Sequence, residues 1–187
     1  MKKKIMALVL ALGCVAGAFS AVTAVEQPVS MEAATKKKAP SLSKVYSAVK
    51  KAYGSNYLPS YRLSNDEFEK RYAISGKWYS GAIAELPMIN VQVDELVIVK
   101  AKNKSAKKKI KSALLNYRED KIEDAKHYVG LEKCLASRVY VRGDYVCFIC
   151  LGSIDQSIDF GTDDSKKIDA YKAENAKAVK AIRKLYQ

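Results

Sequence analysis

The hydrophobic pattern of this chain changes from helical to extended near residue 90, and that change constrains the fold more than any other feature. Before it, apolar residues recur at helical spacing over 42–53, and a capping box at Ser64–Glu67 begins a second helix. A third short helix is predicted from about Lys77–Glu85, ahead of a proline. After the change, branched residues crowd the run Glu95–Ala101, which predicts a well-buried strand.

The second half of the chain returns to a helix and then to a hairpin. A long helix is predicted over 104–125, and two strands, Ser137–Val141 and Tyr145–Leu151, flank a tight turn at Gly143. A last helix begins near Thr162–Asp164, with acids at its start and bases at its end. The order ααα-β-α-ββ-α predicts an α+β domain with a small, largely antiparallel three-stranded sheet, covered by helices and followed by a long C-terminal helix.

The N-terminus has the pattern of an export signal. Three lysines precede an uncharged, mostly apolar run, Ile5–Val25. Three processing routes are open: cleavage between Ala24 and Ala34, which we favour, lipidation at Cys14, or retention of the run as a membrane anchor. Each route places the rest of the chain outside the cytoplasm, as a secreted or envelope-associated bacterial protein.

The sequence predicts three parts in the chain. We expect a signal peptide or membrane-targeting segment over residues 1–33, a polar linker over 34–41 and a single domain over 42–187. The last part is long enough to bury one core.

The chain is strongly basic, with 33 Lys and Arg against 20 Asp and Glu and a formal net charge of +13 at pH 7. Seven lysines and no acid occur between residues 100 and 111: Lys100, Lys102, Lys104, Lys107, Lys108, Lys109 and Lys111. Outside a cell the available polyanions are lipid head groups, wall polymers and acidic polysaccharide, so nucleic acid is not an expected partner. We therefore expect a non-catalytic cell-envelope binding module, which contacts an anionic surface or an envelope protein through these lysines. A solvated face that promotes solubility is the simpler alternative.

Three aromatic residues are further binding candidates. Tyr57 and Tyr61 lie in a predicted loop, and Trp78 lies nearby in a segment rich in aromatics. Such side chains can stack on sugar rings or on a partner peptide, although core packing is the favoured role for this segment.

The cysteines beyond the signal, Cys134, Cys147 and Cys150, are odd in number and do not indicate a disulfide framework. Cys147 and Cys150 have the spacing of a redox pair, but side chains three apart in a strand point to opposite faces. We expect small buried hydrophobic residues here, and no enzyme, cofactor or metal site. A thiol-dependent or redox role that uses these three residues and His127 is the alternative.

The hairpin turn carries the tripeptide Arg142-Gly143-Asp144, which animal integrins recognise. A turn requires a glycine, and an adjacent arginine is common in a basic chain, so the tripeptide needs no functional explanation. Host adhesion through it remains a third, less favoured hypothesis.

Three blocks of sequence resemble a known family: Pro87–Lys102, Asn116–Asp120 and Ala136–Gly152. Over about Leu42–Gly152 the chain is similar to the exported Gram-positive bacterial family called domain of unknown function 4358. It differs at Tyr128–Leu131, where members often show a Tyr-Pro-Met-Asn type segment. Because that family has no established activity, the resemblance implies no catalytic residue.

Overall fold

The computed structural model describes residues 29–32, 39–89 and 91–187. Within them, strands and helices alternate irregularly along the chain. The elements are β1 (Val29–Glu32), α1 (Leu42–Tyr53), β2 (Tyr61–Arg62), α2 (Asn65–Tyr72), β3 (Tyr79–Leu86), β4 (Glu95–Ala101), α3 (Lys104–Ala125), α4 (Leu131–Ala136), β5 (Arg138–Arg142), β6 (Tyr145–Cys150), α5 (Gln156–Asp159) and α6 (Asp164–Lys184), with a short 3₁₀ turn (Gly54–Asn56) after α1.

The strands form one sheet in the order β1-β5-β6-β4-β3-β2. Strands β2 to β6 pair antiparallel, and β1 adds to β5 in parallel at one edge. The predicted α+β class and long C-terminal helix are confirmed. The predicted three-stranded sheet is too small, because β1, β2 and β3 extend it on both sides.

The helix predicted over Lys77–Glu85 is wrong, because that segment forms β3. Its central residues Ala82, Ile83 and Ala84 pair with Val99, Ile98 and Val97 of β4. An alanine-containing segment of this length has a weak local preference, and the ladder with a buried neighbouring strand decides its conformation.

The structure confirms the helix ends that the sequence predicted from capping residues and helical spacing. Helices α1 and α3 have the predicted bounds, and α2 begins with the predicted capping box, in which Ser64 and Glu67 bond to each other's backbone N–H. The hairpin turn between β5 and β6 has Gly143 at φ +56°, and a Cβ there would lie 2.9 Å from Tyr186 Oη. Glycine is therefore required at this turn for both conformation and space.

Helices cover both faces of the sheet. On one face, alternate residues such as Leu96, Ile98 and Ile149 pack with α1 and α6. On the other, Val97 and Phe148 pack with α2 and α3. The period of two in the strands divides the core into these two clusters.

Among the described residues, no helix combines the length and the apolar character needed to cross a bilayer. The apolar run Ile5–Val25 and Cys14 lie outside the described residues, so the processing routes stay predictions. Strand β1 falls within the segment that the sequence assigns to the signal.

Candidate functional site

The seven lysines named above lie at the end of β4 and in the first two turns of α3, and we call them the lysine-rich face. Four of them contact uncharged groups. Lys102 Nζ donates to Gly76 O at 3.1 Å, and Lys107 Nζ donates to Gly143 O at 2.8 Å. Lys100 Nζ lies 5.9 Å from the ring centroid of Tyr145, and Lys109 Nζ lies 5.3 Å from that of Trp78. No ion pair joins any of the seven to a carboxylate in the described part of the chain. Their positive charge is therefore not neutralised there.

The charges of α3 run against its macrodipole. The first turn has no acid and begins with Lys104, whereas the last turn has no base and includes Glu123 and Asp124. Helices α2 and α6 show the opposite, favourable arrangement, with acids in the first turn and bases in the last. Because exposed charges near a helix end change stability by about 0.3–1 kcal/mol each, stability of the helix does not explain the lysines of α3.

The three aromatic candidates lie in different environments. Tyr57 is buried, and its hydroxyl donates to Glu85 Oε2 at 2.8 Å on the α1 side of the sheet. Tyr61 is 43% exposed at the sheet edge and donates to Glu67 Oε1 at 2.6 Å. Only Trp78 lies against the lysine-rich face, so the structure does not bring the three together.

A second feature, which the sequence did not predict, is a cavity of about 370 Å³ between α2, α3 and α4. Its lining is formed by Arg71, Val93, Tyr117, Asp120, Lys121, Asp124, Ala125, Tyr128, Val129 and Cys134. Tyr128 and Val129 are exposed apolar residues at its rim, and Gly130 next to them lies so close to Val93 that a Cβ would be 2.8 Å from its Cγ2.

A buried carboxylate organises the cavity wall. Glu95, at the start of β4, accepts hydrogen bonds from Tyr72 Oη at 2.6 Å, Tyr117 Oη at 2.9 Å and Lys121 Nζ at 2.8 Å. Arg71 Nε lies 3.8 Å from the same carboxylate. The sequence signals this network only by the charged residue Glu95 at the start of an apolar strand. The neighbouring residues in the sequence do not indicate which groups bind its carboxylate.

Burial and this carboxylate shift the neighbouring groups. Burial, followed by the charge of Glu95, raises the pKa of Tyr72 and of Tyr117 far above the usual range, so neither phenol ionises near neutral pH. Burial lowers the pKa of Lys121, but the charge of Glu95 and the surrounding groups outweigh it and raise that pKa above its usual value. The network is therefore a fixed set of donors around one charge, which orients Tyr117 and Lys121 in the wall.

The cysteines are distributed as the strand geometry predicts. Cys147 and Cys150 belong to the two different core clusters, on opposite faces of β6. Cys134 lines the cavity and lies beside Cys150, a proximity that the sequence did not indicate. His127 is exposed beyond the end of α3 and is not part of the cavity lining.

The hairpin tripeptide is partly covered. The guanidinium of Arg142 lies 5.1 Å from the ring centroid of Tyr186, while Asp144 is exposed. Among the described residues, no group of three or more His, Cys, Asp or Glu side chains is arranged to hold a metal ion. Adhesion stays a prediction.

The fold and these surfaces define an α+β domain with a helix-covered antiparallel sheet, a lysine-rich face and a small cavity. The family model described as "Domain of unknown function (DUF4358)" matches residues 52–151, from the end of α1 to just beyond β6. This is more than half of the chain, which therefore belongs to that family, as the sequence resemblance predicted. No curated protein and no solved structure matches the chain significantly.

Proposed function

We propose that this chain is an extracytoplasmic module of the cell envelope that docks on an anionic surface through its lysine-rich face, without catalysis. The observation that supports it most strongly is the reversed charge of α3, where lysines occupy the helix end at which they are least favourable. Charge anywhere on the surface would promote solubility, so solubility alone does not explain why the lysines lie at the N-terminal end of α3.

Trp78 favours anionic lipid over the other partners, which are wall polymer and another envelope protein. Its ring lies beside Lys109 and is half-buried. Tryptophan next to lysines suits the boundary between lipid head groups and acyl chains. Four of the lysines, at i, i+3, i+4 and i+7, share one face of α3: Lys104, Lys107, Lys108 and Lys111. At about 1 kcal/mol per basic residue near an anionic membrane, they contribute about 4 kcal/mol, enough for weak, salt-sensitive docking.

The test is sedimentation of residues 29–187 with vesicles of neutral or anionic phospholipid, and with purified cell wall, across a salt series. The variant carries Gln at Lys104, Lys107, Lys108 and Lys111. A matched control removes the same charge from α6, with Gln at Lys166, Lys172, Lys177 and Lys180. We expect binding to anionic vesicles that weakens with salt, is lost in the α3 variant and is retained in the control.

Two outcomes would contradict docking through the lysine-rich face. Equal losses in the two variants would mean that net charge alone drives the binding, and no binding to vesicles or wall would leave the lysines a solubility feature. A third outcome, binding to wall but not to vesicles, would keep the lysine-rich face and replace lipid by wall polymer as the partner.

A single substitution separates docking from folding. Replacing Lys104 with Glu places an acid at the start of α3, where it should raise the free energy of unfolding by about 0.3–1 kcal/mol. The same change should weaken vesicle binding. A variant that is more stable yet binds less cannot be explained by misfolding.

A further inference from the structure

Two cysteines meet beneath the cavity. Cys134, on α4, lines the cavity wall, and Cys150 is the last residue of β6. Cys150 Sγ lies 3.8 Å from the carbonyl oxygen of Lys133, which belongs to the peptide bond that precedes Cys134. The two thiols are also within hydrogen-bonding reach of each other. Both are free thiols in this structure.

One buried side chain ties together the two backbone segments that carry these thiols. Asn175 of α6 donates from Nδ2 to Ala136 O at 3.0 Å and accepts at Oδ1 from Leu151 N at 2.9 Å. Ala136 is two residues after Cys134, and Leu151 directly follows Cys150. The proximity of the thiols is therefore set by the packing of α4, β6 and α6 against one another.

The three thiols differ in their readiness to ionise. A hydrogen bond from Cys150 lowers the pKa of Cys134 against burial, which raises it, and the charges of Lys121 and Lys133 lower it further. That same hydrogen bond, together with burial, raises the pKa of Cys150. Burial alone raises the pKa of Cys147 to about 12. Cys134 is thus the thiol that forms a thiolate most readily. It is 1% exposed, and of the three it is the one that lines the cavity.

We propose that Cys134 and Cys150 form a thiol–disulfide exchange site that accepts low-molecular-weight disulfides through the cavity. This inference is independent of docking by the lysine-rich face. The cavity volume of about 370 Å³ lies at the lower end of the range found for small-molecule sites, so one half of a small disulfide fits it.

The reaction takes two exchange steps. The Cys134 thiolate attacks one sulfur of a disulfide R–S–S–R, forming a bond between Cys134 Sγ and SR and expelling RS⁻, which takes a proton from water. Cys150 then loses its proton to water and attacks Cys134 Sγ. This forms the Cys134–Cys150 disulfide and expels the second RS⁻, which also takes a proton from water. Two protein thiols are oxidised, and one disulfide is reduced to two thiols.

The experiment uses the full chain with Cys14→Ser, so that Cys134, Cys147 and Cys150 are its only cysteines. The folded protein is incubated with hydroxyethyl disulfide, quenched with acid, denatured, alkylated and analysed by mass spectrometry. We expect the loss of two hydrogen atoms and one remaining alkylated thiol. Adding Cys147→Ser, the matched control on the opposite face of the same strand, should leave disulfide formation intact and no thiol to alkylate.

The other two variants separate the steps. With Cys150→Ser, the attack on the reagent proceeds but cannot be resolved, so a mixed disulfide should accumulate on Cys134. With Cys134→Ser, Cys150 should stay unmodified over the same period. A chain that fails to fold reveals itself because the reagent then modifies Cys147 as well.

Three results would overturn the proposal. The first is the absence of any internal disulfide in the parent chain after long incubation with the reagent. The second is a disulfide that includes Cys147. The third is oxidation at an equal rate when Cys134 is replaced by Ser and Cys147 remains protected, since Cys134 would then not be the attacking group.

Discussion

Replacing Glu95 with Gln tests whether the buried carboxylate holds the cavity wall together. Gln keeps the shape of the side chain but removes the charge that faces Lys121, whose own side chain is only 14% exposed. Removing one partner of a buried ion pair leaves an uncompensated charge and costs about 3–5 kcal/mol. Native proteins have a free energy of unfolding of about 5–15 kcal/mol. This single change should therefore remove a large part of the total stability.

The chain provides a matched control for this change. Glu123 and Lys126 form an ion pair at 2.6 Å, shorter than the 2.8 Å between Glu95 and Lys121, but their side chains are 64% and 51% exposed. Replacing Glu123 with Gln should therefore cost no more than about 1 kcal/mol. Because the exposed pair has the shorter contact, burial and not contact length accounts for the expected difference in cost.

Urea unfolding of residues 29–187, followed by circular dichroism and by the fluorescence of Trp78, measures both changes. Adding Lys121→Met to the Glu95→Gln variant removes the orphaned charge and should restore part of the loss. The reasoning is refuted if Glu95→Gln costs as little as the control, or if the second substitution adds to the destabilisation instead of relieving it.

Three further predictions use the same unfolding assay. Changing Gly130 to Ala should destabilise the fold by at least about 1 kcal/mol, because Gly130 has φ +81° and a Cβ would meet Val93; no loss would show that the rim loops are not packed together. Changing Asn175 to Leu should cost about 2 kcal/mol or more, because it leaves a buried backbone N–H and C=O unpaired, whereas an unchanged midpoint would contradict the tie between α4 and β6. Stability from Lys121 should be fully present below its unfolded pKa of about 10.4 and fall as the pH rises toward its higher folded pKa. The alkaline slope should therefore be shallower in the Lys121→Met variant, while the part due to the buried phenols of Tyr72 and Tyr117, whose pKa values are also raised, should remain.

Local signals account for what the sequence predicted well. The capping box at Ser64, the period of α3 and the glycine at position 143 each act within a few residues, so their consequences can be worked out from neighbours along the chain. The opposite facing of Cys147 and Cys150 follows from the pleat of one strand in the same way.

The misassigned segment Tyr79–Leu86 shows where such reasoning ends. Its residues pair with β4, whose sequence begins nine residues after β3 ends. Its inner carboxylate, Glu85, accepts hydrogen bonds from Tyr46 of α1, from Tyr57 after the 3₁₀ turn and from Arg62 of β2. The conformational preferences of the segment itself contain no information about these distant contacts. The same holds for β2, which has two residues and forms only because β3 lies beside it.

The amino-acid sequence by itself therefore determined the α+β class, the long helices, the hairpin and the concentration of lysines at the start of α3. The tertiary structure alone decided that Glu95 would be surrounded by Tyr72, Tyr117 and Lys121, and that Cys134 would lie beside Cys150. The physical reason is range. Capping and periodicity act over a few residues, whereas a buried charge or a thiol pair depends on groups 16 to 26 positions away, which meet only when helices pack on both faces of the sheet.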